Sequence, residues 1–567
     1  MKRLLFFLIL FAPVLQAQDK DYFISPLDVP LYLAGNFGEL RSNHFHTGID
    51  IKTQGVEGLK VYAAASGFVS RISVSPWGYG KALYIDHPNG TTTVYAHLQK
   101  FSEEIEEYVR NAQYQLENFQ VELYPDADAL VVEQGDWVAY SGNSGSSGGP
   151  HVHFEIRDTK TEKPINPLIY NFDIKDNIAP YVKGVRFYPM DEGSLLEGEN
   201  VEKSYVVTGG NGKYRLKYEK HIPLVGKFGV AIHTLDKFDG VSNIFGVYEI
   251  KLRHNDRLIF HQRMDTLDFS TSRYINCHKD FHLFHKNRWH YHKSFLLPNN
   301  KLEIYKAVEN QGIIEVEEGS RDTLYYEVSD FDGNIATLAI PLRGDEKKLD
   351  HPDLSEHTEP VLFSHNTENL FTTDEVVISM PPKSLYDDLA FVYLEKDGIK
   401  DGIGKVHGIH DHFIPVHKKY RVRLNNSEVP EEYRNKALVV NVTNGRRKAY
   451  GGKMKGRWLT AKVKEFGDYT IMLDTIPPNI KPINFFNGKN ITRQSTLVVR
   501  VSDNLSGIAE YNAYMNDQWV LMEYDGKAGT LTCDLTDKRI PEGIMKFRLI
   551  VSDERRNVET YECILTR

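Results

Sequence analysis

Cysteine is scarce. Three residues, Cys277, Cys533 and Cys563, serve 567 positions, which excludes a small fold stapled by disulfides. Cys533 in "TLTCDLT" and Cys563 in "TYECILT" both sit in strand-like runs. A bridge between them and two buried, unpaired thiols are the two readings. Excess positive charge is absent too: the formal net charge is −9, so nucleic acid is not an expected partner. Long apolar runs are confined to the start. "MKRLLFFLILFAPVLQAQ" places Lys2 and Arg3 before an apolar stretch from Leu4 to Leu15, then Ala17 and polar "QDKD". The stretch is short for a bilayer span and reads as a secretory signal over residues 1–17, cut after Ala17. No later segment is long and apolar enough to cross a membrane. The mature chain is expected to be exported, to the periplasm and cell envelope or beyond.

What is present suits packed cores in several domains: 41% hydrophobic and 12% aromatic residues. Almost everything after residue 20 reads as short strands separated by Gly, Asn, Asp and Pro. "KALYIDHPNGTTTVYAHL", for example, is two strands around a "PNG" turn. One segment differs. In "SEEIEEYVRNAQYQLENFQ", Ile105, Tyr108, Val109, Ala112, Leu116 and Phe119 recur at helical spacing. Ser102 is placed to cap this helix, and Glu103 and Glu104 suit the positive end of its dipole. It reads as an insertion, residues 101–124, in a strand series.

The C-terminal two-thirds repeats itself weakly. "LDKFDGVSNIFGVYEI", "VSDFDGNIATLAI" and "VSDERRNVETYECI" share an apolar–Asp–polar–Asn–apolar pattern. "DNIAPYVKGVRF" and "DTIPPNIKPINF" share an Asp–x–Ile–x–Pro lead into a strand. Such strand–turn–strand units suit immunoglobulin-like β-sandwiches. The charged stretch "RGDEKKLDHPDLSEHTEP", residues 343–360, reads as a linker. The expected fold is mainly β, with domains at 18–174, 175–343, 358–473 and 474–567.

The chemistry concentrates in the first of these. "SGNSGSSGGPHVHFEIRD" puts His151 and His153 on one face of a strand, because side chains two apart point the same way. Upstream, "NHFHTGIDIKT" holds His44, His46 and Asp50, with Thr47-Gly48 as a turn that can bring histidine and carboxylate together. Catalytic zinc takes three protein ligands and leaves one position open. His46, Asp50 and one of His151 or His153 make such a set. His97, closing the strand-like "VYAHLQKF", and the remaining histidine are left to handle protons. His44 is expected to be exposed.

These elements, in this order, resemble the lysostaphin/LytM-type zinc endopeptidases that cut peptidoglycan cross-links. The family pattern H-x-x-x-D, Y-A-H-L and G-P-H-x-H-F-E stands here as "HTGID", "YAHL" and "GPHVHFE" over residues 35–170. The resemblance implies an N-terminal antiparallel β-sheet peptidase domain of the duplicated-hybrid-motif type, one Zn2+ per chain held by His46, Asp50 and His153, and His97 and His151 as the catalytic pair. Gly145, Gly148 and Gly149 would then let backbone pass close to a peptidoglycan peptide, at a site left open unless the later domains cover it. Two other readings stand beside the hydrolase: a non-catalytic scaffold that activates other wall hydrolases, and an envelope adhesion or structural protein whose main role lies in the C-terminal modules, which can also dock envelope proteins. The histidines of "CHKDFHLFHKNRWHYHKSF" and "KVHGIHDHFIPVH" are expected on exposed strands. Asp503, in "VSDNLSGI", lies in a single Asp-bearing turn, too little alone to name a calcium site.

Overall fold

The computed structural model describes residues 19–346 and 361–567. The expected signal and most of the linker at 343–360 lie outside the described residues. The peptidase-like region is built from β1 (Leu33–Gly35), β2 (Ile49–Lys52), β3 (Lys60–Tyr62), β4 (Gly67–Val74), β5 (Lys81–Asp86), β6 (Thr91–Leu98), β7 (Lys100–Phe101), α1 (Glu103–Leu116), β8 (Val121–Leu123), β9 (Val131–Val132), β10 (Trp137–Tyr140) and β11 (His151–Asp158). Its main sheet runs β1-β2-β11-β6-β5-β4-β8, and a small sheet runs β3-β10-β7. Both are antiparallel.

The central strands are buried on both faces, yet the two faces differ. Along β11, Val152, Phe154 and Ile156 enter the apolar core with Ile49, Ile51, Leu83, Ile85 and Tyr95. His151, His153, Glu155 and Arg157 take the alternate positions and so line the opposite face. Strand period two therefore separates an apolar face from a polar, histidine-bearing one.

Three further β regions follow, so the mainly β expectation is met. Residues 181–344 form one twelve-stranded hydrogen-bonded network, antiparallel except where Lys213–Tyr214 and Ile222–Leu224 run parallel to the strand Ile335–Gly344. Residues 361–473 hold two five-stranded sheets sharing one core, with Ile378, Val422 and Ala461 meeting Ile409, Val439 and Ile471. Residues 479–566 pair a four-stranded with a five-stranded sheet around Val499, Leu531, Met515 and Leu549. All three cysteines are buried and free, so Cys533 and Cys563 lie unbridged in opposite sheets.

One local expectation fails, and a second holds in position but not in its bond. The histidine-rich stretch after Cys277 is largely helical, with short helices at Ile275–His278 and Phe281–Asn287. His278 and His292 are buried and bonded to each other at 3.1 Å. Alternating aromatics mimicked strand period there, but Asp280 accepts a hydrogen bond from the Leu283 amide and starts a helix. Ser102 occupies the N-cap of α1 without a side-chain bond. Glu106 reaches back instead, its carboxylate accepting from the Phe101 amide at 2.9 Å.

The inserted helix has two working faces. Ile105 and Val109 pack into the core of the N-terminal region, and buried Gln113 donates to the Phe119 carbonyl at 2.7 Å. Its other side receives the C-terminal region: Arg110 pairs with Asp534 and Asp537, both at 3.0 Å. Arg539 meets Glu107 and Asn111 at 2.6 Å, and Tyr114 stands edge-on to Trp519. The hairpin at 523–529 adds Lys81 to Glu523 at 2.9 Å, and Gly526 lies so close to the Trp77 ring that a Cβ would collide with it. The last region thus folds back onto the first.

Arg110→Met should loosen this contact, because Asp534 and the Oδ2 of Asp537, only 3% exposed at its side chain, would lose Arg110, leaving Asp537 with Arg539 alone. The cost is about 2 kcal/mol. Hydrogen exchange should rise together in 103–116 and 519–539 while 181–344 stays protected. Unchanged exchange in both segments would place the docking energy elsewhere.

Candidate metal centre

The site starts from strand pairing. β2 and β11 run antiparallel with Asp50 directly opposite His153, so both side chains rise from the same face. Gly48 makes this possible: a Cβ there would lie 2.3 Å from the Phe154 carbonyl oxygen. His46, four residues before Asp50, swings in over the pair.

Three atoms converge. His46 Nε2 lies 2.9 Å from Asp50 Oδ1 and 3.0 Å from His153 Nδ1, and His153 Nδ1 lies 2.9 Å from Asp50 Oδ1. The far nitrogens decide what this triangle is. His46 Nδ1 is 2.7 Å from the Asn36 carbonyl, which only accepts, so Nδ1 carries the hydrogen and the Nε2 lone pair points inward. His153 Nε2 is 2.7 Å from Glu155 Oε1, so it donates there and turns its Nδ1 lone pair inward. Two lone pairs and a carboxylate oxygen repel one another unless a cation or shared protons sit among them. The spacing is slightly tighter than the ~3.3 Å between donors that tetrahedral zinc bonds of about 2.0–2.1 Å set. The donor set therefore fits a metal ion.

Protons compete for the same atoms. Burial alone would lower the His153 pKa, but hydrogen bonds to Asp50 and Glu155 raise it to about 9 in the metal-free protein. Burial would raise the Asp50 carboxyl, yet His46, His151 and His153 hold it well below the usual range. Glu155 is anchored by Thr47 and Tyr79 at 2.6 Å each and by Arg157 at 2.6 Å. Burial opposes its ionisation, but Arg157 keeps it ionised. Such an anchored carboxylate fixes the tautomer of a metal-binding imidazole. Arg41, 3.2 Å from Asp50 Oδ2, steadies the third donor from outside.

Two more imidazoles border the triangle. His151 donates from Nδ1 to the Gly149 carbonyl at 2.8 Å, and its Nε2 comes within 3.4 Å of Asp50 Oδ1. His97 reaches the site through a β-bulge: one residue of β5, Ala82, opposes two of β6, Ala96 and His97, between the pairs Lys81↔Leu98 and Leu83↔Tyr95. His97 itself sits at φ +59°, a strained conformation for a non-glycine residue. Its Nδ1 donates to the Ser144 carbonyl at 2.9 Å, and its ring centre lies 4.8 Å from that of His151. Burial, with His153 and His151 nearby, lowers its pKa to about 3, so it is neutral.

All five residues singled out in the sequence thus meet, and His44 is exposed. Gly148 and Gly149 border open space, but Gly145 is packed against the Gly78–Gly80 turn at φ +67°, a structural duty rather than a substrate contact. The site's rim is not bare: Lys527 of the C-terminal region donates to the Ser147 carbonyl at 3.1 Å and also reaches Asn143. Sequence reading missed Asn36, Tyr79, Glu155 and Arg157 as supports. Period two along β11 could have found the last two, since they continue the alternation of His151 and His153.

Comparison with known proteins places part of this region in a family. Residues 44–114 match peptidase family M23, and residues 360–474 match the Zu5-like domain. The DD-carboxypeptidase/endopeptidase Mpg of Neisseria meningitidis serogroup B is 33% identical over 129 residues, 23% of each chain. An uncharacterized metalloprotease of Haemophilus influenzae is 29% identical over 123 residues, 22% of this chain and 20% of the other. The chain thus spans under a quarter of the length of these curated relatives. Among solved structures, the catalytic domain of lysostaphin from Staphylococcus simulans covers 24% of this chain and 90% of its own, at 20% identity and a TM-score of 0.19. The catalytic domain of the prophage-encoded M23 protein EnpA from Enterococcus faecalis covers 26% and 98%, at 24% identity and a TM-score of 0.20. The chain carries an M23 peptidase-family domain near its N-terminus, with a candidate His46–Asp50–His153 metal site, and a Zu5-like domain toward its C-terminus.

Proposed function

We propose that the protein is an exported zinc endopeptidase that hydrolyses peptide cross-links or stem peptides of peptidoglycan. The observation that carries this reading is the triangle of two imidazole lone pairs and a carboxylate oxygen, flanked by two further imidazoles. Zinc bound by His46, Asp50 and His153 would supply Lewis acidity toward a scissile carbonyl and lower the pKa of a water to about 7.

The chain's own groups do the proton work. His97 and His151 both donate from Nδ1 to backbone carbonyls, which leaves each Nε2 free to accept. His151, nearer the donor triangle, takes the proton from the attacking water and returns it to the leaving amine. His97 is neutral and can steady a developing oxyanion only after it has gained a proton itself. Glu155 and Asn36 hold the metal-binding rings in one orientation, so little reorganisation accompanies reaction.

The complete donor set disfavours a purely non-catalytic scaffold. We read the regions from 175, 358 and 474 onward as separate modules and the last as immunoglobulin-like. Export is supported by the basic–apolar–small pattern of the first 17 residues. Among the described residues no helix is long and apolar enough to cross a membrane.

His46→Ala should lose both zinc and hydrolysis of purified cell wall, followed by mass analysis of released muropeptides. His151→Ala should keep its zinc while turnover falls about a hundred- to ten-thousand-fold; a near-normal rate there would transfer the base role to His97. Zinc uptake must expel the proton held on His153, whose pKa is raised to about 9. Below that value proton and metal compete, so apparent zinc affinity should rise about tenfold per pH unit between pH 6 and 8. An affinity flat in pH would show that no such proton is displaced.

A further inference from the structure

Outside the peptidase-like region, two groups of aspartates repeat one another in sequence and in space. Asp176 opens "DNIAP", Asp236 follows the strand Ile222–Leu235, and Asp330 stands in "VSDFDGN". Asp474 opens "DTIPP", Asp503 follows the strand Thr496–Ser502, and Asp553 stands in "VSDERRN". Within each triad, one carboxylate oxygen from every residue lies within 4.8 Å of the other two.

The supporting hydrogen bonds are the same in both. Asn334 donates its side-chain amide to the Asp176 carbonyl at 3.1 Å and to Asp330 Oδ2 at 2.8 Å, while its backbone amide donates to Asp330 Oδ1 at 2.9 Å. Asn557 does so to the Asp474 carbonyl at 3.0 Å, to Asp553 Oδ2 at 2.7 Å and to Asp553 Oδ1 at 2.9 Å. These bonds set the geometry but leave oxygens over. Asp176 Oδ2, Asp236 Oδ1, Asp474 Oδ1 and Asp503 Oδ1 are buried without any hydrogen-bond partner. The residues themselves are deeply enclosed: Asp236 is 1% exposed, Asp176 7% and Asp474 0%.

An unpartnered buried carboxylate oxygen is costly, and two of them crowded against a third carboxylate are more so. Among the described residues no ion pair neutralises either triad. Asp239 and Asp332 add further negative charge beside the first. Arg555 lies near the second, but its guanidinium turns to the Gly452 carbonyl and its Nε stays unpartnered. Burial and the neighbouring acids push the Asp236 carboxyl up to about 9 and the Asp176 carboxyl up to about 7. The first triad also borders a cavity of about 10 Å3 lined by Asn36, Asn166, Asp236, Tyr248 and Asp330, about the size of one water or ion.

We propose that both triads are binding sites for a hard divalent cation, calcium, one at the junction between the peptidase-like region and the second region and one between the third and fourth. All three donors in each are oxygens, which excludes the preferences of soft metals and suits calcium. Calcium–oxygen bonds of about 2.4 Å allow ligands on opposite sides of one ion to lie about 4.8 Å apart. Each ion replaces mutual repulsion by shared coordination and ties the strand leading into a domain to two strand ends within it. This inference is independent of the peptidase reading.

The test is calorimetric titration of CaCl2 into the full-length, zinc-loaded protein in calcium-free buffer, with melting followed in parallel. Wild type should bind two calcium ions per chain and melt several degrees higher with calcium. Asp236→Asn should lose one ion and Asp474→Asn the other, each weakening its site at least tenfold, and the double variant should lose the calcium-dependent melting shift. Zinc content should stay unchanged in all three, which also reports that they fold. Wild type without calcium uptake at millimolar concentration would overturn the proposal. So would a double variant that still binds two ions, or Asn variants that melt higher than wild type in the presence of calcium, the mark of carboxylates that merely share protons.

Discussion

The strand that carries His151, His153, Glu155 and Arg157 organises the candidate metal centre, and a chain of charged hydrogen bonds runs along it. Arg157 keeps Glu155 ionised at the centre of the sheet. Glu155 fixes which nitrogen of His153 bears the hydrogen, and that leaves a lone pair facing His46 and Asp50. Remove the ionised carboxylate and the ring is free to present the wrong nitrogen. The other side of the strand is equally committed, since Val152, Phe154 and Ile156 are part of the core. A register slip of one residue would drive imidazoles into that core and phenylalanine into the site.

Much of this was legible in the chain. Period two alone puts His151 and His153 together, and the glycine turn between His46 and Asp50 announces a close approach. The resemblance then selects among donors that spacing leaves equivalent. The bulge that brings His97 round was not legible: nothing in "VYAHL" marks an extra residue, because a bulge is defined by the partner strand. Asn36 was invisible for a related reason. Its contribution is a backbone carbonyl, and every residue has one. In the second region, the aromatic and histidine alternation after Cys277 imitated a strand while an Asp N-cap set a helix. The aspartate motifs were visible as sequence echoes, but only their convergence in space gives them a meaning.

The C-terminal region clarifies the inserted helix. Spacing indicated an amphipathic segment with one apolar stripe, and Ile105 and Val109 do occupy it. Its polar side holds Arg110, Glu107 and Asn111, and these form the seat for residues more than four hundred positions later. Long-range polar docking leaves no periodic signature, so the segment read only as an insertion. With Lys527 on the loop before His151, the last region stands at the rim of the site as well as on the helix.

Asn36 has a consequence for the order in which the chain becomes competent. Its carbonyl holds the His46 ring, while its side-chain amide exchanges hydrogen bonds with Gly246, at 2.8 and 2.9 Å, from the second region. Ribosomes deliver residue 46 long before residue 246. The residue whose carbonyl holds the imidazole therefore gains its side-chain anchor only when the second region packs against the first. The first region and the second are thus joined at the support of one candidate metal-binding ring.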